Sequence, residues 1–288
     1  MAATLKLIQG TPEWVQYRQG MRNASETSAV LGLSPWLTPY GLWMLKTGRS
    51  KQEATPPMLH GTRMEPEARA AYEMHTGHMM KPLVLQDGPY SASLDGITLD
   101  GELIVEIKCP FRGKRSSLWQ EAQAGRVPNH YAVQVQHQLM VSGAQLAHVW
   151  VFAEGDGVLI TLRRDVELMA VIRDGWEDFQ RYLDTDTPPP LMDADAVKRD
   201  DPAWTEAALA YLDAKQRSDV ADKALEVARK GLLGLVRSPR EVGAGVSVVK
   251  LWKTGSVDYK SIPELRSVNL DRYRGAGREE VRITVAKT

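Results

Sequence analysis

Three residues have the types and spacing to do chemistry together: Asp95, Glu106 and Lys108. Asp95 stands in Ser93-Leu94-Asp95-Gly96, and ten residues separate it from Glu106 in the run Val105-Glu106-Ile107-Lys108-Cys109-Pro110. An acidic residue at a turn, then Glu-x-Lys inside an apolar run, is the layout of a metal-dependent phosphodiesterase. Asp95 is expected to end one strand, with Glu106 and Lys108 on the next, so that a hairpin bend gathers all three. Glu106 and Lys108 are two apart and share a strand face. Two carboxylates hold hard cations through oxygen. The neighbouring ammonium can orient a water and stabilise charge growing on phosphorus.

The elements around this trio supply further candidates. Glu106 interrupts Leu103-Ile104-Val105-x-Ile107, a run apolar enough for a buried strand. A carboxylate there is unfavourable unless it is paired or metal-bound, and a plain Glu106–Lys108 ion pair is the simple alternative. Asp95-Gly96 taken alone is a common turn pair. Glu65 lies in His60-Gly61-Thr62-Arg63-Met64-Glu65-Pro66. Helical glutamates usually face solvent, but a kink at Pro66 and the small Gly61 would let this helix approach the strands. Gln134 and Gln136 interrupt Val133-x-Val135-x-His137-x-Leu139. Facing inward, a glutamine bonds a phosphate or a water; facing outward, it is only a polar surface. Arg18 ends the first helix and Ser25 starts the second, which suits a phosphate pocket, although an ordinary cap and a surface arginine explain them equally. Arg112, Lys114, Arg115 and Arg126 follow the Glu-x-Lys strand, either along the path of a DNA backbone or in a solvated loop. His75 and His78 have no further histidine or cysteine close by, so a zinc site is set aside.

Punctuation fixes the expected elements. Thr11-Pro12 and Thr38-Pro39 each read as a helix cap followed by proline, with Gly20 and Gly48 as stops. Ser25 is expected to cap a short helix that Gly32 ends, and a longer helix covers Met58 to His75. Strands are expected over Pro82–Gln86, Tyr90–Leu94 and Glu102–Cys109, then helices over Ser116–Ala124 and Pro128–Ser142. Strands Leu146–Ala153 and Val158–Arg163 flank a Glu154–Gly157 turn, and Asp165 caps a helix running to about Tyr182. Thr187-Pro188-Pro189-Pro190 breaks the pattern. Residues 1–190 thus read as an α/β or α+β domain, a central run of strands flanked by helices. Residues 191–288 form a C-terminal extension. It holds a long helix or helical hairpin over Ala203–Val236 and strands at Gly243–Lys253 and Val281–Val285.

The chain has 288 residues, 43% of them apolar, which is enough for a sizeable core. Its 36 basic and 36 acidic residues cancel, which argues against an indiscriminate nucleic-acid coat while leaving room for charge focused in a cleft. No apolar run of about 18 residues is present, so no membrane span is predicted. The N-terminus lacks a basic-then-apolar leader pattern. The single cysteine, Cys109, excludes an internal disulfide framework and fits a reducing cytoplasm; it reads as a small buried hydrophobe.

Six strings in order resemble the lambda exonuclease family, also called YqaJ-like viral recombinases, within the PD-(D/E)xK nuclease superfamily. They are Trp14-x-x-x-Arg18-x-Gly20, Ala24-Ser25-Glu26, His60-Gly61-x-x-x-Glu65, Ser93-Leu94-Asp95-Gly96, Glu106-Ile107-Lys108-Cys109-Pro110-Phe111 and Tyr131-x-x-Gln134-Val135-Gln136. The match spans about residues 10–185, and Leu94 stands where the family usually has proline. The resemblance implies a restriction-endonuclease-like core with a central mixed sheet, and a helical and hairpin extension beyond it. It implies two magnesium or manganese ions per active site, held by Asp95, Glu106, the Ile107 carbonyl and Glu65. Lys108 would position the attacking water, Gln134 would sit beside the scissile phosphate, and Arg18 and Ser25 would hold a 5′-phosphate. The implied activity is 5′→3′ digestion of linear duplex DNA, leaving 3′ single strands for recombination. The implied assembly is a trimeric ring working with a single-strand annealing protein, in the cytoplasm of a bacterium carrying the phage or prophage. A structure-specific or restriction-like endonuclease is the alternative enzyme, and a DNA-binding scaffold the alternative class.

Overall fold

Alternation along the central strands decides which side chains can meet. The structure is a computed structural model that describes residues 2–268 together with Tyr273, Gly275 and Ile283. The first half holds β1 (Ala3–Leu5), α1 (Pro12–Gln19), β2 (Arg22–Asn23), α2 (Thr27–Val30), α3 (Pro39–Lys46), α4 (Pro56–Thr76), β3 (Lys81–Asp87), β4 (Tyr90–Ile97) and β5 (Leu103–Lys108). Then follow α5 (Ser117–Gln123), α6 (Asn129–Ser142), β6 (Leu146–Ala153), β7 (Asp156–Arg163), α7 (Val166–Asp184), α8 (Pro202–Leu235), β8 (Arg240–Gly243) and β9 (Val246–Val249). The Thr11, Thr38, Ser116 and Asp165 side chains each accept from the backbone N–H three residues on, which fixes where α1, α3, α5 and α7 begin.

One mixed sheet runs in the order β1-β3-β4-β5-β6-β7, with β2 paired to β4. β5 and β6 are parallel, so the chain must cross over between them, and α5 and α6 make the crossover. Val105 and Ile107 of β5 pack with Ala68 and Tyr72 of α4. Ile104, pointing the other way, joins the larger core with Val135 and Leu139 of α6 and with Ile172 and Trp176 of α7. The helices therefore cover opposite faces of the sheet, and Glu106 and Lys108 fall on the α6 side with Ile104.

Several expectations change in the folded chain. Asp95-Gly96 is not a turn: β4 continues to Ile97, and Gly96 pairs with Val105. A Cβ on Gly96 would lie 2.6 Å from Met80 Cβ and 2.9 Å from Val105 Cγ1, so close packing demands this glycine. The bend between β4 and β5 follows, where Gly101 takes a left-handed φ of 77°. Ser25 does not cap a helix; it lies inside a 3-10 turn, Ala24–Glu26, preceded by Asn23. Asn23 does not cap it either: its Nδ2 donates to the Arg18 and Met21 carbonyls and to Glu26. α4 runs through Pro66 as one element. The strand expected over Gly243–Lys253 is instead the second half of a hairpin, β8–β9, turned by Ala244 and Gly245 at φ 48° and 79°. Apart from Ile283, the strand expected over Val281–Val285 lies outside the described residues.

Contacts divide the chain into two units, Met1–Ala196 and Val197–Thr288. The first contains the whole seven-stranded sheet; the second contains α8 and the β8–β9 hairpin. Among the described residues, no helix is long and apolar enough to cross a membrane.

Candidate active site

Glu106 is only 3% exposed, between apolar neighbours on β5 and β6. A buried carboxylate needs donors, and this one has three. Lys108 Nζ lies 2.6 Å from Oε1, Gln134 Nε2 donates to the same oxygen at 2.7 Å, and Gln138 Nε2 donates to Oε2 at 2.5 Å. Gln134 and Gln138 are one helical turn apart on α6 and share the face turned to β5. Gln136 points elsewhere. Its amide bonds the Arg163 carbonyl and the Asp165 N–H, tying α6 to the start of α7. Of the two glutamines singled out by sequence, only Gln134 reaches the site. Gln138 was missed, although its i+4 spacing from Gln134 was the available signal.

Asp95 reaches β5 from β4, its Oδ2 accepting the Ile107 N–H at 2.7 Å. Burial raises its carboxyl well above the usual range, and the nearby charges of Glu106 and Glu65 raise it further. Burial likewise raises Glu65, with Glu106 adding to the shift and Arg69 opposing it. Glu65 forms an ion pair with Arg69 one helical turn on, and Arg69 Nε donates to the Asp95 carbonyl at 2.9 Å. Arg69, unremarked in the sequence, thus joins α4 to the aspartate strand.

This donor set fits a hard divalent cation. Three carboxylates share one cleft, and their mutual repulsion is what such an ion relieves. Among the described residues, no three histidine, cysteine, aspartate or glutamate side chains already stand in a metal-ligating cluster. Glu65 is drawn to Arg69, and Glu106 to Lys108 and the glutamines.

Burial works against charge on Lys108, but Glu106, Tyr131 and Asp95 outweigh it and hold the ammonium above its ordinary value. The group also sits 4.6 Å from the Tyr131 ring centre and 3.5 Å from Gln134 Oε1. Lys108 is therefore a proton donor and a fixed positive charge. Cys109 is half-buried, not buried, and its thiol is pushed up to about 12 by burial and by Asp95 and Glu65, so it stays protonated.

The second cluster adjoins the first. Arg18 Nη2 donates to Ser25 Oγ at 2.9 Å and lies 3.2 Å from Glu26 Oε1, and its guanidinium stacks 4.5 Å from the Trp14 ring centre. Trp14 Nε1 in turn donates to Ser93 Oγ, on the aspartate strand. Lys46 pairs with Glu26 Oε2 at 2.7 Å and caps the Arg18 and Met21 carbonyls. A cavity of about 150 Å³ is lined by Arg18 and Ser25 on one side and by Asp95, Glu106 and Gln134 on the other. A larger cleft of about 900 Å³ opens from Asp95, Glu106 and Lys108 past Glu65, Tyr131 and Phe111.

The basic residues after β5 are not gathered in this way. Lys114 pairs with Asp156 at 2.5 Å and covers Trp119, while Arg112, Arg115 and Arg126 are exposed. None of the four lines either cavity.

Comparison with known proteins agrees with this fold. A family described as the YqaJ-like viral recombinase domain matches residues 13–145. The uncharacterized protein YqaJ of Bacillus subtilis (strain 168) is 30% identical over 173 residues, which is 56% of this chain and 52% of that protein. The chain thus spans about half the length of that curated relative. The alkaline exonuclease LHK-Exo from Laribacter hongkongensis is similar in structure, with a TM-score of 0.53 at 25% identity over 61% of this chain and 94% of its own. LHK-Exo in complex with dAMP gives the same TM-score and coverage at 24% identity. The shared fold is the PD-(D/E)xK type, an α/β sheet flanked by helices.

Proposed function

Residues 13–145 belong to the YqaJ-like viral recombinase domain family, and from that premise we propose that the chain is a magnesium-dependent exonuclease that digests linear duplex DNA from its 5′ ends. The observation that carries this reading is the small cavity joining Arg18 and Ser25 to Asp95, Glu106 and Gln134. A phosphate held by the arginine and the serine hydroxyl would set the strand end directly against the carboxylates. The structural likeness to LHK-Exo, an alkaline exonuclease that has been crystallised with dAMP, supports the same chemistry.

The side chains divide the work. Asp95, Glu106 and Glu65 would hold the cation, together with the Ile107 carbonyl. When bound, magnesium supplies positive charge that polarises the scissile phosphate. Lys108, protonated and anchored to Glu106, donates hydrogen bonds to the attacking water and to phosphate oxygens as negative charge builds. Gln134 carries an amide that bridges Glu106 and Lys108 and keeps both oriented. Arg18, stacked on Trp14 and steadied by Glu26, fixes how far the strand end enters. The same proposal takes the product to be a 3′ single strand for recombination. It includes a trimeric ring around duplex DNA and a single-strand annealing partner, acting on phage or prophage DNA in the bacterial cytoplasm.

The test is digestion of a linear duplex and a closed supercoiled circle, with and without chelator. Chelator-sensitive loss of the linear form alone is expected, and cutting of the circle would sink the end-dependent reading. Arg18→Ala should slow digestion of 5′-phosphorylated ends by roughly 10- to 100-fold, the worth of a charge-assisted hydrogen bond. Ends bearing a 5′-hydroxyl should be far less affected; equal losses on both would remove the pocket.

A further inference from the structure

Helix α8 carries an apolar seam along its whole length. Trp204, Tyr211, Ser218, Leu225 and Leu232 recur every seven residues, and Ala207, Ala214, Ala221, Ala228 and Leu235 follow each by three. These are the first and fourth positions of a coiled-coil heptad, sustained over five repeats with one polar exception. Yet no residue of α8 is buried, and Trp204, Leu225 and Leu235 are 52%, 68% and 73% exposed. Helices draw most of their stability from packing an apolar face, and this face is open.

We propose that α8 pairs antiparallel with α8 of a second copy of this chain. The argument is volume. In an antiparallel pair, first positions meet the partner helix's fourth positions. About a centre between Asp219 and Val220, Tyr211 then faces Ala228 of the second copy, Ala214 faces Leu225, and Ala207 faces Leu232. Ser218 faces Ala221 at the middle, and Trp204 faces Leu235 at the ends. Each of the three intermediate layers sets a large side chain against an alanine, so the seam fills evenly. A parallel pair would stack alanine on alanine in four layers and tryptophan on tryptophan in another, leaving voids beside crowded layers.

Charge agrees with the same register. Lys215, which pairs with Asp219 of its own helix at 2.6 Å, lies on the flank of the seam, about 3 Å along the axis from Asp222 of the second copy, which it can share by symmetry. In a parallel pair Lys215 would face Ala210 instead. The seam extends over about 47 Å of helix, long enough for the roughly 1,000 Å² that a specific interface needs.

The experiment uses the full-length chain. Sedimentation is expected to give an even copy number, six where the trimeric ring also forms, halved by Leu225→Asp with Leu232→Asp while circular dichroism shows the helix retained. Lys215→Asp should weaken association, and adding Asp222→Lys should restore it. Chains carrying Ser218→Cys, mixed with chains carrying Ala221→Cys and oxidised, should form a mixed disulfide. Ser218→Cys alone should cross-link no more than the wild type, whose only thiol is Cys109. An unchanged copy number in the double aspartate variant, no rescue by the charge swap, or a Ser218→Cys homodimer would each overturn the antiparallel pair.

Discussion

Helices α6 and α8 meet opposite fates. Eight of the 14 residues of α6 are buried, among them Gln136, His137 and Gln138; none of the 34 residues of α8 is. Burial gives the polar residues of α6 specific partners. His137 meets Thr27 at 2.7 Å and is held neutral, with burial lowering its pKa to about 3. Gln136 ties down α7, and Gln134 and Gln138 hold Glu106. The lesson is that helix side chains converge on the candidate site only where packing closes around the helix. The open seam of α8 is the surface proposed above for pairing with a second copy.

The sharpest break of this comparison lies at the site α6 helps to build. Asp95→Ala should lower cleavage on the order of 10³-fold while duplex binding survives, because the side chain serves chemistry and not contact. Full activity measured on a linear duplex would remove the assignment. Next is a matched pair of truncations. Leu139→Ala on α6 should cost about 2–5 kcal/mol in denaturant unfolding, since it opens a cavity in the sheet core. Leu225→Ala on α8 should stay within about 0.5 kcal/mol for the dissociated chain. Equal costs would show that α8 is packed after all.

Smaller effects sharpen the picture. Gln138→Leu leaves Glu106 Oε2 without its amide donor and should cost about 1–3 kcal/mol of stability, with activity falling alongside. An unaffected variant would make Gln138 a bystander. The smallest effect is one of pH. Asp95 and Glu65 both have folded pKa values raised by burial. Stability from their neutral forms is present at low pH and is lost as pH rises through those raised values. A cation binds the ionised carboxylates, so the rise in Tm on adding magnesium should be larger at pH 8 than at pH 5. An increment no larger at pH 8 would mean that these carboxylates do not hold the ion.

Much of the site was legible from residue order. Glu106 in an apolar strand demanded partners, Lys108 was two residues away, and Asp95 lay one strand earlier. Arg18 and Ser25 were legible as a pair, although Ser25 was expected at a helix cap and in fact sits inside a 3-10 turn. What failed was local reading of ambiguous signals. Asp95-Gly96 looked like a turn, and only the packing of Met80 and Val105 shows why the glycine is there. Lys114 read as a residue of a DNA backbone path or of a solvated loop, and Asp156 on β7 holds it away from both cavities.

The sequence by itself determined which chemistries were available: the carboxylates, the lysine, the arginine and serine beside them and the periodicity of each helix are fixed by residue type and spacing. Only the tertiary structure decided which of these groups meet. Gln138 is chosen over Gln136, and Arg69 is recruited to the aspartate strand, because side-chain direction depends on which neighbouring element covers each face. That covering is set by contacts between residues far apart in the chain, such as α4 and α6 on opposite sides of β5, which no local pattern encodes.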